Sequence, residues 1–169
     1  MIRFSKLTDY ALMVASELAR DAGVIASAAQ LAGRTGVELS TVAKVLKLLA
    51  KAGVVESARG ASGGYRLRVA ADRLSVASVV EAMEGPLGVT GCVAVPGSCA
   101  HEGNCGLSDP MRKISRVIEA ALRAVSLQSL ADAPARSIAR PKTSLITPLK
   151  ASLKSLPKSP LQEGVAEHV

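Results

Sequence analysis

The chain has 169 residues, 49% of them hydrophobic, with a formal net charge of +7 and a pI near 9.7. That is chain enough for one domain with additions, and a basic balance of this size favours polyanionic partners, nucleic acid before membrane surface. Aromatics are too few to build a core (no Trp, one Phe, two Tyr), no apolar run approaches the ~18 residues of a membrane span, and the start MIRFSKLTDYAL lacks a signal-peptide core, so a helical cytoplasmic protein that engages no membrane is expected.

Over residues 8–20, Leu12, Ala15 and Ala19 recur at helical spacing beside Val14 and Leu18. Thr8 is the predicted cap, Asp9 suits the dipole in the first turn, and Gly23 ends the segment. A second helix is predicted over 28–35, opened by Ser27 with Gln30 in the form of a capping box and broken by Gly36. A third is predicted over 40–52, capped by Ser40, with Gly53 just past its end. Its core face is Val42, Val45, Leu46 and Leu49, and Lys44, Lys47 and Lys51 lie away from it. Helix, short glycine turn, helix is the helix-turn-helix pattern.

Residues 54–58 and 65–68 read as strands around Arg59-Gly60-Ala61-Ser62-Gly63-Gly64, where three glycines in five residues mark a hairpin tip. A basic hairpin directly after a helix-turn-helix is a wing. Another short helix is predicted over 75–84, capped by Ser75 and stopped by Gly85-Pro86. Residues 88–106 hold five glycines, one proline and all the cysteines, without periodicity, and read as a loop.

A long amphipathic helix follows over 109–126, with Met111, Ile114, Val117, Ile118, Ala121, Leu122 and Val125 as its apolar stripe. The stripe suits a second subunit; packing within the chain is the alternative. From 134 the composition turns to Pro, Ser, Lys and Ala, with five prolines and no aromatic residue, as in a disordered basic tail. The predicted fold class is mainly α with a small β-hairpin wing. A winged helix-turn-helix domain covers 1–87, a cysteine-bearing loop 88–108, a dimerisation helix 109–132 and the tail 133–169.

A recognition helix sets its N-terminal residues against base edges in the major groove, which here means Glu38, Leu39, Ser40, Thr41 and Lys44. Ser40 and Thr41 can bond base or phosphate, and Lys44 most simply meets phosphate. Arg59 at the wing suits a narrow minor groove, and Arg66 and Arg68, on one face of their strand, suit phosphates. An ordinary solvated basic face accounts for any one of these residues; the assembly points to double-stranded DNA.

Cys92, Cys99 and Cys105 fall within 14 residues, and the chain has no other cysteine. An odd, tight set in a reducing compartment points away from a disulfide framework and toward zinc, an iron–sulfur cluster or redox chemistry. The spacing is neither a zinc ribbon's nor a ferredoxin's, and three thiolates leave a fourth position open, for which His101 and Glu102 are the local candidates and Asp9 a distant one. A thiol enzyme is not expected. The only histidines are His101 and His168, no acidic orienter accompanies them, and the wing glycines follow no buried strand and form no nucleotide loop.

Four pieces of the chain resemble the IscR/NsrR family of bacterial regulators over about residues 1–132. They are Leu7-Thr8-Asp9-Tyr10-Ala11-Leu12; Lys51-Ala52-Gly53-Val54-Val55 leading to Gly63-Gly64-Tyr65-Arg66-Leu67; Glu84-Gly85-Pro86-Leu87 with Glu81; and the three cysteines. The resemblance implies a homodimer built on the long helix and bound to a palindromic operator. It also implies a cluster held by Cys92, Cys99 and Cys105 with one non-thiolate ligand. Some members use a His three residues after the last cysteine, where this chain has Ser108; others use an acidic residue of helix 1 from the partner subunit, the place of Asp9 here. That implies Asp9 as ligand and [4Fe-4S] in preference to [2Fe-2S]. The six residues between Cys92 and Cys99 resemble the branch controlling SUF-type cluster-assembly genes. Nitric-oxide or thiol-redox sensing, and a cluster-free or zinc-bound regulator, are the alternatives.

Overall fold

The structure, a computed structural model, describes residues 3–21, 23–60 and 63–132. The predicted tail and part of the predicted wing tip lie outside the described residues. The elements in chain order are α1 (Lys6–Arg20), α2 (Ala28–Thr35), α3 (Leu39–Lys51), β1 (Val55–Ala58), β2 (Gly64–Leu67), α4 (Val76–Glu84), α5 (Gly91–Ala94), a 3-10 turn (Glu102–Asn104), α6 (Ser108–Ala124) and α7 (Leu127–Ala131). The fold class is the expected one, mainly helical with one antiparallel hairpin. No helix among the described residues is long and apolar enough to cross a membrane.

The small residues Ala11, Ala15 and Ala19 let α1 approach its neighbours closely. With Val14 and Leu18 of α1, they form one core with Leu31 of α2 and Val42, Val45, Leu46 and Leu49 of α3. Burying a Leu or Val of this kind contributes about 1.5–3 kcal/mol each. The capping box of α2 forms in full: Ser27 Oγ accepts from Gln30 N at 3.2 Å, and Gln30 Oε1 accepts from Ser27 N at 2.8 Å. Gly36 ends α2 with φ of 71°, a left-handed conformation that glycine adopts without strain.

Two predicted caps are displaced. Ser5, not Thr8, caps α1, accepting from Thr8 N at 3.2 Å. The extra turn lets Leu7 and Tyr10 pack on the core and leaves Thr8 fully buried. At α3 the cap position is Glu38, without a side-chain bond, rather than Ser40. The inter-helix turn is held instead by Thr35, whose hydroxyl donates to Leu31 O at 2.7 Å and accepts from Val37 N at 3.3 Å. That bond brings the chain into helix before Ser40 is reached.

In the wing, Val55 pairs with Leu67, Glu56 with Arg66, Ser57 with Tyr65 and Ala58 with Gly64. Ala26 adds a further bridge, exchanging 2.9 Å hydrogen bonds with Tyr65 in both directions. This fixes the hairpin to the start of the helix-turn-helix. A Cβ on Gly64 would lie 2.6 Å from the Ala26 carbonyl oxygen, against backbone that cannot swing away. Gly64→Ala is therefore expected to destabilise the domain by about 1–3 kcal/mol; an unchanged thermal midpoint would contradict this packing.

The long helix predicted over 109–126 is α6, and the 109–132 segment assigned to dimerisation holds a second, short helix after it. α6 ends at Ala124, Val125 turns extended, and Ser126 caps α7 by accepting from Ser129 N at 3.2 Å. Val125 O accepts from Val76 N at 2.8 Å, and Leu127 N donates to Leu74 O at 2.8 Å, so the junction is latched to the start of α4. Leu127 is fully buried and α7 packs on α1. α6 itself lies against α4 and α5. Its other side leaves Val117 70% exposed and Ile114 44% exposed, with Ala121 also exposed.

Candidate DNA-binding face and cysteine loop

On α3, Ser40 and Lys44 are exposed and Thr41 is half-buried, with Lys47 and Lys51 also open to solvent. The core face of the same helix is sealed, so these side chains form its outer surface. Arg59 is exposed where the hairpin leaves β1 and makes no ion pair among the described residues. Arg66 differs: its Nε donates to Glu56 Oε1 at 2.6 Å across the strand pair. Part of its charge is therefore offset before any phosphate is met. The structure thus sets Ser40, Thr41 and Lys44 on one helix, Arg59 and Arg66 on the hairpin behind it, and all of them away from the core.

The cysteine segment has more local structure than its glycines suggest. Cys92 lies in α5, Cys99 follows the turn closed by Ser98 N and Val95 O at 3.1 Å, and Cys105 closes the 3-10 turn. The loop's stem is pinned to α6 by Val89 N donating to Ser115 Oγ at 3.0 Å, with Ser115 itself buried. Gly88 is required there, since a Cβ would sit 2.5 Å from Ala94 N. Cys92 and Cys99 are half-buried, Cys105 is exposed, and all three are free thiols. Thr90 Oγ1 lies 3.3 Å from Cys92 Sγ.

Among the described residues, no three His, Cys, Asp or Glu side chains stand close enough to hold a metal ion. The single chain therefore brings neither the three cysteines nor Asp9 together. The donor chemistry nevertheless fits an iron–sulfur group: three thiols, none in a disulfide, on one glycine-rich loop, with a non-thiolate position to fill. Of the local candidates for that position, His101 is exposed and Glu102 is already engaged. One Glu102 oxygen accepts from Gly97 N at 2.7 Å and the other from Arg112 Nη2 at 2.9 Å. Asp9 is exposed in the first turn of α1.

The turn carrying Asp9 is fastened by a residue for which the sequence pattern implies no role. Glu84, the last residue of α4, accepts from Ser5 N at 2.9 Å and from the Thr8 hydroxyl. These bonds, Thr8's first and Ser5's second, hold the Glu84 carboxyl below the usual carboxylate range. A folded-state value below the unfolded one means that the stabilisation is fully present above about pH 4.3 and is lost as pH falls through the depressed value. Glu84→Gln is expected to reduce the acid-side slope of stability in pH-dependent denaturation. An identical slope in the variant would remove Glu84 as its source. The hydrophobic spacing of α4 gave no sign of this role; the only hint was an acidic residue set just before Gly85-Pro86.

A family model described as Rrf2, iron-dependent transcriptional regulator, matches residues 4–133. The chain belongs to the Rrf2 family. The HTH-type transcriptional repressor NsrR of Streptomyces coelicolor is 33% identical over 135 residues, which are 79% of this chain and 90% of that protein. The HTH-type transcriptional regulator IscR of Aliivibrio salmonicida is 33% identical over 102 residues, 60% of each chain. A putative HTH-type transcriptional regulator of Neisseria meningitidis is 34% identical over 97 residues; the match takes in 57% of this chain and 65% of that protein, just under two thirds of its length. Among solved structures, CymR, the global cysteine regulator of B. subtilis, is similar with a TM-score of 0.61 at 24% identity, over 78% of this chain and 97% of its own, which shows the shared fold. The Rrf2 assignment accounts for the IscR/NsrR resemblance, and the family and these relatives are described as transcriptional regulators.

Proposed function

We propose that this Rrf2-family regulator binds a palindromic operator as a homodimer and is switched by an iron–sulfur group on Cys92, Cys99 and Cys105, completed by the partner subunit's Asp9. The observation that carries the reading is the set of three free thiols on the loop that leads directly into α6. The family's description as iron-dependent supports it. When bound, such a group supplies an anionic centre whose stability reports iron and redox conditions.

The chain's own residues supply the rest. Ser40, Thr41 and Lys44 read or grip the major groove, Arg59 enters a minor groove, and Arg66 meets phosphate. The open side of α6, with Ile114, Val117 and Ala121, is the surface on which a second copy docks. A bond from the cysteine loop of one subunit to Asp9 on α1 of the other ties the loop to the second DNA-binding unit. Making or losing that tie alters how two recognition helices match two half-sites. A coupling of about 1–3 kcal/mol corresponds to roughly 5- to 150-fold in operator affinity. An acidic fourth ligand favours [4Fe-4S] over [2Fe-2S], and SUF-type assembly genes are the first targets to examine.

Asp9→Ala tests the shared ligand. Anaerobically purified Asp9→Ala is expected to lose its visible absorbance faster than wild type on exposure to air, with its thermal midpoint kept. Equal spectra and equal lifetimes reject Asp9. A second reading, a nitric-oxide or thiol-redox sensor of the same fold, draws on the exposure of Cys105. It predicts that alkylating Cys105 in metal-free protein alters operator affinity.

A further inference from the structure

The loop between Cys99 and Cys105 is organised around one residue. Glu102 N donates to Cys99 O at 3.1 Å, and Glu102 O accepts from Cys105 N at 3.4 Å. Its two carboxylate oxygens take the Gly97 amide at 2.7 Å and Arg112 Nη2 at 2.9 Å. Every polar group of Glu102 is thus spent on a different part of the site: the Cys99 backbone, the Cys105 backbone, the turn before Cys99, and the first turns of α6. The Glu102 side chain is only 17% exposed, which sets this ion pair apart from the surface pairs at Arg66 and Arg123. Arg112 itself is 41% exposed, so solvent screens the pair from that side.

Arg112 carries a second signal. Its Nε is buried and has no hydrogen-bond partner among the described residues. A buried donor left unsatisfied is costly, and a charged one more so. The guanidinium is therefore incompletely used: Nη2 holds Glu102, while Nε on the same edge finds no acceptor among the described residues.

We infer that Glu102 is the positioning residue of the cysteine loop, clasping the Cys99–Cys105 segment to α6 through Arg112, so that rearrangement at the cysteines is transmitted to the long helix. This deepens the function proposed above and rests on it for its regulatory meaning. The clasp itself belongs to the metal-free chain. Glu102 acts through its neighbours rather than as a ligand, and Arg112 is the point at which an anionic acceptor entering the loop would compete for, or add to, the grip of Glu102.

The test uses full-length, reduced, metal-free protein. Hydrogen exchange and cysteine alkylation are measured for wild type, Glu102→Ala, Arg112→Ala and the double variant. Exchange at Gly97 and Cys105 is expected to quicken roughly tenfold or more in each single variant. Alkylation of half-buried Cys99 should quicken with it, while that of Cys92 in α5 stays at the wild-type rate. The double variant should go no further than the larger single effect, because both substitutions open one clasp. Exchange at wild-type rates, or effects that simply add, would overturn the inference. The regulatory arm compares operator affinity with and without the iron–sulfur group: the ratio is expected to fall toward one in Glu102→Ala. Should wild type carry no such group, the proposed function fails by that result alone, and exchange and alkylation still decide the clasp.

Discussion

Val117→Asp is expected to leave a folded monomer that has lost most of its operator affinity. Val117 is 70% exposed on α6, so a carboxylate there costs the single chain almost nothing. In a dimer built on this face, the same carboxylate would be buried against apolar side chains beside its own symmetry mate, without a counter-charge. A palindromic site gains its affinity by holding two recognition helices at once, the second binding event being intramolecular. Losing the dimer removes that advantage, about 10²–10⁴-fold in binding. Sedimentation velocity and operator retardation read both halves. A variant that remains dimeric and binds as wild type would place the subunit interface elsewhere; one that unfolds would show that the face is not free.

Leu127→Ala is expected to cost about 2–5 kcal/mol, the range for a fully buried leucine truncated to alanine. Leu127 is wholly enclosed in the core shared with α1, although it lies beyond the long helix. Its backbone amide also latches to Leu74 O, at 2.8 Å. A fall of roughly 5–20 °C in thermal midpoint follows for a domain of this size. The half-buried Leu130 is the control, and Leu130→Ala should lose clearly less. Since α6 keeps its exposed stripe, Leu127→Ala should still dimerise wherever it is folded. In the proposed dimer its operator affinity should fall more than its dimerisation, because α7 ties the end of α6 to α1. A Tm equal to wild type would mean that α7 is a passenger.

Periodic, locally capped segments are legible in the sequence. Ser27 with Gln30 closes its box as the spacing implied, and Ser75 caps α4 by accepting from Ser78 N at 3.3 Å. The wing glycines lie where a hairpin needs them. What stayed hidden depends on residues distant in sequence. Thr8 looked like a cap because its neighbours are helical, but its hydroxyl is claimed by Glu84, 76 positions away. The short helix beyond Val125 is invisible to an apolar repeat running from Met111; it arises because Leu127 has a buried seat on α1 and Ser126 can start a new helix. The cysteine loop shows no periodicity, so its order could not be read. That order comes from Glu102, Ser115 and Arg112, which bond across the loop rather than along it. Strand alternation alone makes Arg66 a phosphate contact, whereas its pairing with Glu56 depends on the strand register.

The central claim is that the three cysteines hold an iron–sulfur group. It is tested most directly by the iron, acid-labile sulfide and zinc content of anaerobically purified wild-type protein, read together with its visible spectrum. The account predicts a coloured protein with iron and sulfide in comparable amounts, and colour lost when Cys99 is replaced by Ser. A colourless protein carrying stoichiometric zinc, or neither metal, with operator binding intact, would contradict it.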